Sequence, residues 1–304
     1  MTKRKTNRLH PRYLPSWLAL GLLRALSILP LRLVYVLGTG LGNLLHLLIR
    51  GRRKIAYRNL ELCFPNLSGE EIAALTKEHF RETTRAALLT GFIWWASEAR
   101  LRKHVTIRHP ERLKSILDKG QGVILLAPHF VALELGGVFL SLDYKGVSVY
   151  QYNRNPVFDK AMLRARQRFG ATLVERKNDF RQLIRAIRSG KICYYLPDQD
   201  PGPKHAVFAP FFKIPTATWP VLGKLARVSR AAVLPCATYL RKGGACFEIV
   251  LGEPLDAFPS GDDVKDARAM NTAIERCVNE LPAQYFWVHK RFKTRPPGSP
   301  TLYL

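Results

Sequence analysis

The sequence predicts an α/β domain built on a mixed, largely parallel sheet flanked by helices, preceded by an N-terminal hydrophobic helix that anchors it to a membrane. Three observations predict this. From residue 122 onward, short apolar runs alternate with helical patterns, the order that builds parallel sheets. Glycines and prolines punctuate the joins. A leucine-rich stretch from Trp17 to Ile49, basic on both sides, comes before any of it. The 304 residues suffice for one large domain or two small ones, and 47% hydrophobic content supplies a sizeable core and excludes wholesale disorder.

The chain opens with Lys3, Arg4, Lys5, Arg8 and Arg12. The apolar stretch that follows is too long for a signal peptide, and no small-residue cleavage site ends it. A spanning helix needs roughly 20 mainly apolar residues. Arg24, Pro30 and Arg32 interrupt the first part, whereas Leu33 to Ile49 is mostly apolar, with Thr39, Asn43 and His46 as its main polar residues. Arg50, Arg52, Arg53, Lys54 and Arg58 close it. The pattern fits a single span with snorkelling arginines, or a pair of helices lying in the interface on anionic lipid. An ordinary buried helical hairpin is the plain alternative. Residues 1–50 thus read as a basic segment and anchor, and residues 51–304 as the domain it carries. With both flanks basic, the charge rule for membrane orientation gives no direction.

Residues 55–118 read as helical, with a capping-box-like start at Ser68-Gly-Glu-Glu71 and apolar residues at helical spacing through Trp95. Gly122–Ala127 reads as a buried strand, Val131–Leu142 as a helix and Val147–Tyr152 as a second strand. Phe158–Phe169 is a basic helix closed by Gly170, and Phe180–Ser189 a helix ended by Gly190. Lys191–Leu196 is a third strand leading into a Pro/Gly loop from Pro197 to Pro203. Ala231–Tyr239 and Ala245–Gly252 read as later strands, and Val264–Leu281 as a late helix.

The net charge is +25. Such an excess implies a polyanionic partner: nucleic acid, an anionic membrane face, a phosphorylated lipid or an acidic protein. The five cysteines are far apart, form no CxxC pair and are odd in number, so reduced thiols in a cytosol-facing domain fit better than disulfides or zinc. No metal site is expected, because no second His or Cys stands at ligand spacing to the candidate histidine.

That histidine is His129. It follows Pro128 at the end of the Gly122–Ala127 run, and Glu134 comes five residues later. Sites in such sheets form at the carboxyl ends of strands. A histidine standing just before a helix stays neutral at the positive end of the dipole and can act as a base. Glu134, early in the helix, could reach back to its other ring nitrogen. No Ser or Cys nucleophile motif accompanies it, which suits direct attack by a substrate hydroxyl on an activated acyl group. Tyr152, Arg154, Asn155 and Pro156 are followed by Arg164, Arg166 and Arg168, a basic helix or a set of guanidinium forks for phosphate. Asp198 and Asp200 lie in a loop after a strand, as turn formers or as site acids. The Phe208–Trp219 run, with Lys213 in it, suits an acyl tunnel or a core. The run from Gln284 to Arg295, including Trp287 and Arg291, interleaves aromatics with bases. It would suit single-stranded nucleic acid or a headgroup interface; the leucine-rich N-terminus favours the second, so no nucleic-acid partner is expected.

Together these residues resemble the late (secondary) acyltransferases of bacterial lipid A biosynthesis, lauroyl/myristoyl type, within the lysophospholipid-acyltransferase-like superfamily. The resemblance spans nearly the whole chain: the anchor, the H-x4-E box at His129 and Glu134, Asn155-Pro156 with Arg166, the Pro-Asp198-Gln-Asp200 loop, the Phe-Phe-Lys213-Ile-Pro-Thr-Ala-Thr run and the C-terminal run through Arg291. One departure is Pro201, where several members have Tyr. The resemblance implies a glycerol-phosphate-acyltransferase-like fold and an inner-membrane enzyme whose catalytic domain faces the cytoplasm. It implies an acyl donor on acyl carrier protein, or acyl-CoA, and no cofactor. The acceptor would be the hydroxyl of a 3-hydroxyacyl chain on a lipid A precursor, often Kdo-bearing. His129, Glu134, Arg166 and Asp198 are then the candidate catalytic residues, with His129 the general base, oriented by Glu134. Arg166 is assigned to acceptor phosphate or oxyanion contacts, and Asp198 to holding that arginine or the site. Arg154, Asn155, Arg164, Asp200, Lys213 and Arg291 are candidate substrate-binding residues. The rival readings are acylation of another glycolipid or a lysophospholipid, and a membrane-tethered binder of anionic lipid or nucleic acid.

Overall fold

The computed structural model of the chain describes residues 8, 10–175, 180–241, 243 and 246–303. Lys3, Arg4 and Lys5 of the basic segment, and Ala245 at the expected start of a late strand, lie outside them. Five helices come first: α1 (Leu14–Leu26), α2 (Leu31–Leu48), α3 (Arg50–Cys63), α4 (Gly69–Trp95) and α5 (Glu98–His104). Strands and helices then alternate as β1 (Val105–Arg108), α6 (Pro110–Asp118), β2 (Val123–Leu126), α7 (Leu133–Asp143), β3 (Gly146–Tyr150), α8 (Pro156–Gln167), β4 (Thr172–Glu175), α9 (Phe180–Arg188) and β5 (Ile192–Tyr195). A hairpin of β6 (Val207–Phe211) and β7 (Ile214–Thr218) precedes α10 (Val221–Ser229), β8 (Ala232–Leu240), β9 (Phe247–Leu251) and α11 (Asp263–Glu280).

The main sheet has seven strands in the order β1-β9-β8-β2-β5-β3-β4. Only β8 and β9 pair antiparallel; the remaining pairs are parallel. The expected mixed, largely parallel sheet is therefore what forms. β2 lies near its middle and is buried at every position, as a strand covered on both faces must be. Leu125 faces a cluster that includes residues of α4, α7 and α8, while Ile124 and Leu126 face one that includes residues of α9, α10 and α11.

Local chemistry sets several boundaries. Ser68 and Glu71 form a reciprocal capping box at the start of α4. Asn155 caps α8, accepting from the backbone N–H groups of Val157 and Phe158, with Pro156 in the first helical turn. The segment expected to be helical throughout 55–118 contains β1, and β4 and the β6–β7 hairpin were also not expected as strands. β1 and β4 are four residues long and lie at the sheet edges. A run that short shows no readable alternation.

The N-terminal stretch is a pair of helices. α2 is long and apolar enough to cross a membrane by length and composition. It lies against α4, with Gly38 and Gly42 in the seam. A Cβ on Gly42 would stand 2.5 Å from the Arg81 Cα, and one on Gly38 2.6 Å from the Arg85 Cα. This is the close helix approach that small residues four apart permit. The seam is polar: Arg85 Nε donates to Thr39 Oγ1, Arg81 Nε to Asn43 Oδ1, and Thr84 Oγ1 to the Gly38 carbonyl. The opposite face carries exposed Leu33, Val36, Leu37, Leu41, Leu44 and Leu48, and α1 exposes Leu14, Trp17, Leu18 and Leu22. Gly42→Ala is expected to cost about 1–3 kcal/mol by forcing the helices apart. Gly40→Ala in the same helix meets nothing within 4 Å and leaves stability unchanged or slightly raised. Equal unfolding midpoints for the two variants in detergent would contradict this seam.

Candidate functional site

Two neighbouring strands build the site. β2 and β5 run parallel, and their carboxyl ends deliver the loops that carry His129 and Asp198. Ala127 extends the pairing by donating to the Tyr195 carbonyl. Pro128 then stops the strand, and His129 stands four residues ahead of α7. His129 does precede its helix, but it stands three residues ahead of the N-cap Ala132 and not at the helix end, so the dipole does not keep the ring neutral as expected. The C-terminal segment clamps this loop: Val131 N–H donates to the Gln284 carbonyl and Phe286 N–H to the His129 carbonyl. The Gln284 side chain, itself buried, accepts from Leu240 N–H and donates to the Leu240 carbonyl.

His129 pairs with Asp198. Its Nδ1 lies 2.5 Å from Asp198 Oδ1, and its backbone N–H donates to Oδ2 at 2.8 Å. A carboxylate only accepts, so Nδ1 carries the proton and Nε2 keeps its lone pair. Burial opposes charge on the ring most strongly, but the Asp198 carboxylate and its hydrogen bond outweigh it, and the imidazole pKa is raised above the ordinary histidine value. The Asp198 carboxyl, 1% exposed, is pushed up by burial yet ends below its ordinary range because His129, its two hydrogen bonds and Arg291 favour the anion. Tyr285, also buried, sits beside Asp198, and burial and that charge raise its hydroxyl well above the usual tyrosine value.

Glu134 does not turn back to His129. Both of its oxygens face Arg166: Nε lies 3.0 and 3.1 Å from them and Nη2 2.6 Å from Oε2. Trp94 Nε1 donates to Oε1 at 3.2 Å. The pairings expected from the sequence are thereby exchanged. Asp198 holds the histidine and Glu134 holds the arginine. The reason is topological: Glu134, inside the first turn of α7, looks across to α8, while β5 brings Asp198 to His129 from 69 residues away. For Arg166, burial opposes the charge, but the Glu134 carboxylate more than compensates and raises its pKa.

The other candidates separate into lining and structural residues. Asp200 lines the site, and its carboxylate organises the loop by accepting from Gly202 and Thr294 N–H. Its own N–H donates to His289 Nε2. Burial and then Arg291 lower the His289 pKa, in keeping with an accepting ring. Arg291 is buried beside His129 and Asp198 and donates to the Ala217 carbonyl. Tyr285, Trp287 and Phe292 are buried too, so the C-terminal aromatic run is core and not a headgroup surface. Asn155 is spent on capping α8 and donates to Ser16 Oγ of α1. Arg154 and Arg164 are exposed and outside the cavity lining, and Lys213 is exposed at the turn between β6 and β7. The Phe208–Trp219 run is mostly hairpin and core; only Trp219 of it reaches the cavity. Tyr194 was not anticipated. It lines the cavity and donates to the Leu133 carbonyl, and only its place in a strand pointed to it.

A cavity of about 1090 Å³ opens at these groups. His129, Glu134, Arg166, Gln199 and Asp200 share it with Leu133, Val138, Leu140, Met162, Ile192 and Leu196. Titratable groups that share a cavity with so many apolar side chains suit a substrate with a reactive head and a hydrocarbon tail. Among the described residues, no three His, Cys, Asp or Glu side chains gather as a metal site.

The sequence is similar to characterised proteins along its length. It is 34% identical to a lipid A biosynthesis lauroyltransferase of Escherichia coli K12, over all of this chain and 99% of that one. It is 34% identical to the palmitoleoyltransferase of that strain over 97% of this chain and 96% of the other. Its identity to the myristoyltransferase is 32%, over 95% and 90%. Residues 1–294 match the family of bacterial lipid A biosynthesis acyltransferases, and the chain belongs to that family.

Proposed function

We propose that this acyltransferase moves a fatty acyl chain from acyl carrier protein, or from acyl-CoA, to the hydroxyl of a 3-hydroxyacyl chain on a lipid A precursor. The single observation that carries the chemistry is the His129–Asp198 pair at the mouth of an apolar cavity. With Nδ1 engaged, Nε2 is the base. It takes the proton of the acceptor hydroxyl as that oxygen attacks the thioester carbonyl. The tetrahedral intermediate expels the thiolate, and the imidazolium returns the proton to sulfur. Asp198 fixes the tautomer and steadies the imidazolium, so it is a positioning residue. Glu134 positions Arg166, whose charge serves the acceptor phosphate or the developing oxyanion. Arg154 and Arg164, both exposed, suit longer-range contact with phosphorylated sugar. Asp200 and Arg291 act on the site through its loops and its electrostatics, and Lys213 on an approaching anion.

Residues 1–50 serve as the anchor and 51–304 as the acyltransferase domain, held on the cytoplasmic side of the bacterial inner membrane. The exposed leucines of α1 and α2, with Arg50, Arg52 and Arg53 beside them, suit a phospholipid surface. The net charge of +25 matches lipid phosphates, the bilayer face and an acidic carrier.

His129→Ala is expected to slow transfer by about 10²–10⁴-fold with folding intact. The assay uses carrier-bound donor and Kdo-bearing lipid A precursor, and retained activity would remove His129 from the role of base. Mass spectrometry of lipid A from a deletion strain should show one secondary acyl chain missing. An unchanged lipid A would sink the substrate assignment. The pH profile gives a separate reading. Neutral His129 is the active form, so kcat/KM falls as pH drops through the raised pKa. Asp198→Asn removes the groups that raise it and leaves burial, which lowers it. The acid limb should move to lower pH while the plateau drops by about 10²–10⁴-fold. An acid limb that stays in place would separate Asp198 from the titrating base.

A further inference from the structure

The cavity has walls on both faces of the sheet. Gly146, Val147, Ser148 and Val149, consecutive in β3, all line it. Successive strand residues point to opposite faces, so the space straddles β3. Side chains from α7 and α8 line it on one face (Leu133, Val138, Leu140, Met162). On the other face it is lined by Phe180 and Leu183 of α9 and by Val221 and Lys224 of α10. β3 pairs with β5 only as far as Ser148 and Tyr194, although both strands run on. Beyond that point the lining continues with His129, Leu196, Gln199 and Asp200.

The reaction requires such a fork. An ester between a donor acyl group and a 3-hydroxyacyl chain leaves two hydrocarbon tails diverging from nearly the same atom. One straight tunnel cannot hold both. The lobe against α7 runs from Leu133 to Ser141, about 12 Å at the rise of an α-helix. That is the depth of a hydrocarbon chain and not of a headgroup. The cavity volume of about 1090 Å³ is at the upper limit of single-ligand pockets.

The two lobes also face different surroundings. The α7–α8 lobe adjoins α1: Asn155 at the head of α8 bonds Ser16 of α1, and Tyr13 packs into the same core cluster. α1 is the helix that exposes Leu14, Trp17, Leu18 and Leu22. The α9–α10 lobe has exposed Phe180 and Lys224 on its rim. α9 and α10, packed together, expose Arg181, Arg185, Arg188 and Arg227, with exposed Arg230 just after α10. One side suits a lipid coming from the bilayer, the other an acidic carrier coming from solution.

Resting on the lipid A reading above, we propose that the two substrates enter from opposite faces of the sheet: the donor acyl chain fills the α9–α10 lobe, and the acceptor's hydroxyacyl chain fills the α7–α8 lobe, meeting at His129.

Filling each lobe separately tests this. Val221→Phe, with Val149→Phe as a second variant, narrows the α9–α10 lobe. Gly146→Val narrows the other, where a Cβ would meet Ile192 Cγ1 at an ordinary 3.7 Å. Gly137→Leu is its second variant, the Cβ there standing 3.6 Å from the Tyr194 ring. The α9–α10 variants should lower kcat/KM for long over short donor chains by about tenfold or more, with acceptor KM within about twofold of wild type. The α7–α8 variants should raise acceptor KM by about tenfold and leave the donor-chain ratio alone. The reverse pattern overturns the assignment, and folded variants that all change one parameter, or none, overturn the two-lobe division. A wild-type protein that transfers nothing to the precursor sinks the lipid A reading instead, and is told apart because the unmodified protein already fails.

Discussion

One carboxylate sets the geometry of the site. Asp198 accepts from both the ring and the backbone of His129, so the side chain and the loop that carries it are held by the same group. A buried carboxylate is costly unless its partners meet it fully. Here the two hydrogen bonds and the nearby Arg291 do so. The parallel pairing of β2 with β5 places the two loops side by side. The Glu134–Arg166 pair is the counterpart across the cavity, tying α7 to α8 with a fork geometry that leaves Arg166 little freedom. These two pairs give the polar groups of the cavity a fixed arrangement, and its apolar walls leave the rest adaptable to hydrocarbon.

Much of this was legible in the sequence, and the parts that were not share a physical cause. The run ending at Pro128 could be read because a strand covered on both faces is apolar throughout, and α7 follows it with helical spacing. His129 stood out because it fell at that junction. Its partner was misread because sequence spacing suggests local pairs, and Glu134 is local while Asp198 is not. Which strands become neighbours depends on crossovers that no local pattern encodes. The aromatic run near Trp287 was misread for a related reason. Its lysines and arginines suggested a surface, but the rings turn inward and Arg291 follows them, its guanidinium taking backbone carbonyl as partner. Lys213, by contrast, sits at a tight turn with φ at 68°, so a conspicuous motif there reports backbone conformation as much as chemistry.

The N-terminal helices belong to the same packing system as the site. α2 meets α4 through glycines and through Thr39 and Asn43, which Arg85 and Arg81 hold. Arg85 in turn pairs with Glu78 and Glu82. A helix bonded along one face to so many charges is poorly suited to lipid on all sides. The seam puts the polar face of α2 on protein and leaves its leucine face exposed.

Glu82 continues inward as well as outward. Its second oxygen accepts from the Gln284 side chain, and the Gln284 carbonyl holds Val131, two residues from His129. α2 and the loop that carries His129 are thus joined by an unbroken relay of about five side chains and backbone groups. Trimming α1 and α2 is therefore not a neutral change. It would strip Thr39 from Arg85 and Asn43 from Arg81, and so loosen the far end of the brace that reaches the His129 loop.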